Sequence, residues 1–188
     1  MNYQTTSHAE IARFAREQVN LSQEKTNEHR AQANRLIEAL DQHLKKDPYF
    51  ELRRLVMSGS LAKGTALKDL NDIDVACYIQ GVRTPKDSLR LVEFLYKKLA
   101  IAFPNFSQDQ IRKNNFSVSV FFKGSRLHVD IVPVIYDGNR LWNGNLINQK
   151  NGSFLMTNIP RHIEFIRRRK SKQNIHFCLL YTSDAADE

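Results

Sequence analysis

The chain has 188 residues, of which 41% are hydrophobic and 26% charged, and a formal net charge of +8; this is the profile of one globular domain with a real core. No apolar run approaches the ~20 residues of a membrane span, and the opening MNYQTTSHAEIARF lacks the basic-then-apolar order of a secretion signal. Two cysteines, Cys77 and Cys178, make neither a disulfide framework nor a zinc site, so a reducing cytoplasm is the expected compartment.

Ser7, followed three residues later by Glu10, has the capping-box pattern of a helix start. Ile11, Phe14, Ala15 and Val19 carry an apolar stripe, which Leu36, Ile37, Leu40 and Leu44 resume after a polar middle. Residues 1–47 therefore predict one long helix or two shorter ones, ended before Pro48. RRLVMSGS predicts a short strand running into a glycine turn, and DIDVACYI a second strand.

In TPKDSLRLVEFLYKKLAIAF, Thr84 is a plausible N-cap and Pro85 the first helical residue, with Val92, Leu95, Leu99 and Ala102 as the buried face. NFSVSVFF and LHVDIVPVI predict two more strands joined by KGSR, and YDGNRLWNGNLINQKNGS predicts a loop from its Asn and Gly content. A last helix opens at Pro160. The expected class is α/β (α+β), a small mixed sheet flanked by helices.

The expected divisions are a helical segment at 1–47, a core at 48–157 and a further helical segment beginning at 158. The closing CLLYTSDAADE, residues 178–188, resembles the conceptual translation of a transposase adaptor used in shotgun sequencing libraries. These residues are expected to be foreign, with the natural gene continuing past Phe177.

Positive charge concentrates at the end. Arg161, Arg167, Arg168, Arg169, Lys170 and Lys172 stand against Glu164 alone. Such a run attracts phosphate on nucleotides or nucleic acid, or forms a solvated helix face.

The stretch SGSLAKGTALKDLNDIDV, residues 58–75, carries the chemistry. Gly59 and Gly64 have the glycine spacing of a Walker A loop, but Lys63 precedes the second glycine and Thr65 follows it directly. A lysine after that glycine is needed to reach the terminal phosphates, so that reading fails.

Asp72 and Asp74 are two residues apart on a strand and share a face. Two like charges so close need a cation, or else belong to a solvated strand end. Asp130 tips the choice, because it is the only charged residue in a run that otherwise reads as core strand. A neighbouring strand can bring it beside the other two. Three carboxylates around one or two Mg²⁺ ions, with substrate phosphates, is the layout for in-line displacement at phosphorus. Gly59 then lets the backbone approach closely, and Ser60 with the following N–H groups offers donors to phosphate oxygens.

With these residues the sequence resembles the nucleotidyltransferase superfamily of the DNA polymerase β-like fold. SGSLAKGTALKDLNDIDV together with LHVDIVPV is most similar to the cyclic GMP-AMP synthase/dinucleotide cyclase-like enzymes of bacterial anti-phage defence, relatives of the oligoadenylate synthases. The likeness runs over most of residues 7–172.

It implies a transferase that joins nucleoside triphosphates into a cyclic di- or oligonucleotide and releases pyrophosphate. It makes Asp72 and Asp74 ligands shared by two Mg²⁺ ions, for which Mn²⁺ can substitute, and Asp130 the third ligand beside the attacking hydroxyl. Gly59 and Ser60 become the donor-triphosphate turn, with Thr65, and after it Lys63, near the phosphates. His128 shares the face of Asp130, and Tyr136 and Trp142 are aromatic enough to stack on a base, although packing is the expected role of all three.

The basic segment 161–172 is the expected contact for a nucleic-acid or protein activator. The family's second helical domain, which closes the nucleotide cleft, is almost wholly missing from these residues, so the 188-residue chain alone is not expected to suffice for activity. Two rivals share the motif: archaeal-type CCA-adding enzymes carry a very similar stretch, and a non-catalytic, antitoxin-like nucleotide-binding module uses the same fold.

Overall fold

A computed structural model describes residues 6–45, 51–80 and 90–173. Thr84, Pro85 and residues 178–188 lie outside the described residues, and with them the N-cap and adaptor readings. Helix α1 (His8–Phe14) starts on the predicted capping box: Ser7 Oγ accepts from the Glu10 N–H, and the Glu10 carboxylate accepts from the Ser7 N–H at 2.8 Å. A π-helical turn (Ala15–Val19) and a break at Asn20 separate it from α2 (Gln23–Leu44).

The N-terminal segment is therefore two helices, and its two stripes behave differently. Leu36, Leu40 and Leu44 are buried against the sheet, whereas Ile11 and Phe14 stay exposed and only Ala15 of that stripe is buried. Val19, the last residue of that stripe, lies in the π-helical turn, off the α-helical period that the stripe assumed.

Strand β1 (Glu51–Met57) leads into the short helix α3 (Gly59–Lys63) and then into β2 (Asp72–Gln80). Helix α4 (Leu91–Ala102) follows, then β3 (Ile111–Lys113), β4 (Val118–Phe122) and β5 (Leu127–Tyr136). The segment read as a loop holds β6 (Gly144–Ile147), which pairs with β7 (Phe154–Thr157) before the closing helix α5 (Ile159–Gln173). That reading is corrected by a packing constraint. A Cβ on Gly144 would lie 2.5 Å from Val134 Cγ1 and 2.7 Å from the Ile135 carbonyl oxygen, so this glycine marks close approach of two strands.

The sheet runs β1-β2-β5-β4-β3, with β6 on the end of β5. Among the described residues, only β2 and β5 pair in parallel; the other pairs are antiparallel, and together these seven strands make a mixed sheet. Strand alternation gives the sheet two unlike faces. Ile73, Val75, Cys77 and Ile79 of β2, with Val129 and Ile131 of β5, join the leucines of α2 and α4 in the main core. Burial of that apolar surface is the dominant favourable term of the fold, at roughly 25 cal/mol per Å². The opposite face carries Asp72, Asp74, Ala76 and Tyr78 of β2 beside Asp130, Val132 and Val134 of β5.

Candidate active site

The site begins where β1 stops. Met57 pairs with Val75, and the next residue, Ser58, donates its N–H to the Asp74 carbonyl at 2.7 Å. The chain then turns at Gly59 with φ +64°, a left-handed conformation that favours glycine. Space makes the same demand, because a Cβ here would stand 1.8 Å from Asp74 Oδ2. The close approach expected of Gly59 is thus first of all to a carboxylate of its own chain. Ser60 follows in the first turn of α3, half-buried, and Gly64 ends that helix with φ +74°.

The strand register sets the three aspartates on one face. Asp74 is the direct neighbour of Asp130 across the parallel β2–β5 pair, and Asp72 pairs with His128 at the rim. Asp72 is exposed, while Asp74 and Asp130 are half-buried. Burial pushes the Asp74 carboxyl above its ordinary value, and the charges of Asp130 and Asp72 push the same way against the pull of Lys63. Among the described residues, no three His, Cys, Asp or Glu side chains close round one point as a finished cage. What the face presents is a set of hard oxygen donors, of which Asp74 lines a cavity. Such donors suit Mg²⁺, which commonly takes one or two carboxylates and completes its shell from substrate phosphates and water.

That cavity holds about 210 Å³. Ser58, Gly59, Lys63 and Asp74 line its polar end, and Ala76, Val132, Val134 and Leu146 its apolar end. Lys63 therefore shares the cavity with Asp74. Thr65 is buried beneath the turn, where its N–H donates to the Ser60 carbonyl at 2.9 Å and its hydroxyl reaches the same oxygen at 3.4 Å.

The remaining sequence candidates have packing partners. His128 stacks on Phe121 at 4.5 Å between ring centroids. Tyr136 and Trp142 stack on each other at 4.9 Å, both meet Tyr78 edge-on, and Arg54 lies 5.2 Å over Trp142. The basic helix is also partly committed. Arg167 donates through Nε and Nη2 to the Ala62 carbonyl at 2.9 and 2.6 Å, and Arg168 pairs with Glu164. A second cavity, of about 430 Å³, has Arg30, Arg54, Arg167 and Arg168 among its walls.

Sequence reasoning missed several residues. His162, in the first turn of α5, lines the Asp74 cavity. Asn158 caps that helix, its Oδ1 accepting from the Arg161 N–H at 3.0 Å, and its Asn-Ile-Pro context carried that signal. Ser119, directly opposite Asp130 on β4, donates its hydroxyl to Asp130 Oδ1. The alternation of SVSVFF already set Ser119 on the polar side of its strand.

A mixed sheet with a Gly-Ser turn and three carboxylates on its open face defines a nucleotidyltransferase domain of the polymerase β-like class. Residues 6–169 match the family described as Second Messenger Oligonucleotide or Dinucleotide Synthetase domain, and the chain belongs to that family. It is 50% identical over 177 residues to a cyclic AMP-AMP-AMP synthase of Escherichia coli strain MS 115-1, covering 94% of this chain and 55% of that protein. A CBASS oligonucleotide cyclase, CdnC of Escherichia coli strain KTE188, is 32% identical over 157 residues, covering 81% of this chain and 50% of its own length.

Among solved structures, Escherichia coli MS115-1 CdnC with ATP superposes with a TM-score of 0.77 at 50% identity, over 93% of this chain and 55% of that one. The CdnC:HORMA-deltaN complex matches with the same TM-score at 49% identity, over 93% and 54%. The chain spans about half the length of the curated relatives it matches.

Proposed function

We propose that this chain is the catalytic domain of a nucleotidyltransferase that joins nucleoside triphosphates, ATP among them, into a cyclic oligonucleotide and releases pyrophosphate. The observation that carries the reading is the register that sets Asp130 directly beside Asp74, with Asp72 two residues along the same strand. Its likeness to a cyclic AMP-AMP-AMP synthase supports the product class.

Asp72, Asp74 and Asp130 are the residues that would hold Mg²⁺, or Mn²⁺ in its place, and the raised Asp74 carboxyl is consistent with a face that needs a cation. When bound, the metal supplies charge neutralisation at the phosphates and a lowered pKa for the attacking hydroxyl. The protein's own groups bind and orient. The Gly59–Ser60 turn and Lys63 hold the donor triphosphate, and Asp130 accepts the proton of the acceptor hydroxyl as its oxygen attacks the α-phosphorus. A bond forms from that oxygen to phosphorus, the bond to the bridging oxygen breaks, and pyrophosphate leaves.

For the whole protein we propose a cytoplasmic role in defence against phage, with a HORMA-type protein partner of the kind seen in the CdnC:HORMA-deltaN complex. The basic segment 161–172 is the proposed contact for an activator, protein or nucleic acid. Among the described residues, no helix is long and apolar enough to cross a membrane.

The test is incubation of the protein carrying this domain with α-labelled ATP and Mg²⁺, with no nucleic acid present. A phosphatase-resistant oligonucleotide, lost in Asp74→Ala, is the expected result. Strict dependence on tRNA would replace the reading with a nucleotide-adding enzyme. A phenotype untouched by Asp74→Ala would replace it with a non-catalytic binding module.

A further inference from the structure

Asp130 sits in a row that crosses three strands. Asp74 flanks it on β2 and Ser119 on β4. The Ser119 hydroxyl donates to Asp130 Oδ1 and so commits one of its two oxygens. Ser119 is itself held: Asn114 Nδ2 donates to Ser119 Oγ at 2.6 Å and to Ser117 Oγ at 3.1 Å. Asn114 belongs to the β3–β4 turn, closed by its own N–H on the Ser117 carbonyl at 2.8 Å.

A serine hydroxyl has one proton and two acceptor lone pairs. With an amide donating to its oxygen, the proton is left to point at the carboxylate. The turn thus sets the direction of the whole relay, from Asn114 through Ser119 to Asp130.

We propose that Ser119 and Asn114 are positioning residues for Asp130, holding its carboxylate in the orientation that a divalent cation and the acceptor hydroxyl require. The proposal rests on the metal-dependent reading above. Neither residue touches substrate; both act through the carboxylate. The neighbouring pair on the same strands makes the point by contrast, because Phe121 opposite His128 offers only a ring face and no donor. Donors that orient a metal-binding carboxylate typically change metal affinity or activity by about ten- to a hundredfold when removed.

The experiment is Mn²⁺ binding, followed by electron paramagnetic resonance, together with the Mg²⁺ concentration for half-maximal transfer, in the protein carrying this domain. Ser119→Ala is expected to weaken both by about tenfold or more, with the melting temperature in EDTA unchanged. Ser119→Thr, which keeps a hydroxyl at the same atom on a strand-compatible side chain, is expected to restore them. Asn114→Ala, at an exposed turn position, is expected to shift both in the same direction by a smaller factor.

Wild-type Mn²⁺ affinity in Ser119→Ala overturns the proposal, as does a folded Ser119→Thr that binds no better than the alanine variant. Ser119-dependent Mn²⁺ binding without nucleotide transfer would leave the positioning role standing and remove the functional reading instead. Transfer that is indifferent to Ser119 would do the reverse.

Discussion

The open face of β2 and β5 has two ends that differ in almost every respect, although the same two strands build both. At one end Asp72, Asp74 and Asp130 crowd like charge beside a cavity. Two residues further on, Ala76, Tyr78 and Val134 are buried beneath Trp142, Leu146 and Ile159. The Tyr78 hydroxyl even accepts the N–H of Ile159, fixing the first residue of α5 to the sheet. Packing stops where chemistry starts. The apolar end anchors the helix that lines the cavity, and the acidic end is the one we propose a cation and phosphates complete.

Substitutions at the two ends separate these roles. Asp74→Ala is expected to lower transfer by about 10³-fold, roughly 4 kcal/mol of transition-state stabilisation, without loss of folded protein by circular dichroism. Gly59→Ala follows at about 10²-fold, roughly 3 kcal/mol, because the new Cβ drives Asp74 from its place. In an Asp74→Ala background the same change is expected to cost about 1 kcal/mol in denaturant titration, from the strain of a positive φ and the 3.2 Å approach to the Cβ at position 74 that remains.

At the apolar end Trp142→Ala is expected to destabilise by about 2 kcal/mol in the same titration while sparing metal affinity. Tyr78→Phe removes only the acceptor for Ile159 and is expected to cost about 1 kcal/mol.

The smallest effect is a pH dependence. The folded state holds the Asp74 carboxyl above its ordinary value, so its contribution is fully present below that value and is lost as pH rises through the raised one. In EDTA, wild type should therefore lose stability relative to Asp74→Asn as pH climbs out of the acid range, measured as the difference in melting temperature.

Much of the site was legible in the sequence because strand chemistry is local. Asp72 and Asp74 share a face through period two alone, and a lone aspartate among β-branched neighbours marked Asp130. The pairing of Asp130 with Asp74 was open to inference but not to derivation, since register is set by long-range packing. Ser119 escaped because a serine on a polar strand face looks like ordinary surface until its partner across the ladder is known.

Strands β6 and β7 were illegible for a different reason. They are four residues each, rich in Asn and Gly at their borders, and Gly144 serves close approach to β5 rather than a turn. The exposed Ile11 and Phe14 show the opposite error, an apolar stripe without a core beneath it.

The central claim is that the acidic end of this face is built to be completed by a cation and a nucleotide. Its most direct test is the melting temperature of wild type and Asp74→Asn, in EDTA and again in Mg²⁺ with a non-hydrolysable ATP analogue. The account predicts that Asp74→Asn is the more stable in EDTA and that the order inverts with Mg²⁺ and the analogue, as only wild type gains. Equal gains in both proteins, or none in either, would contradict it.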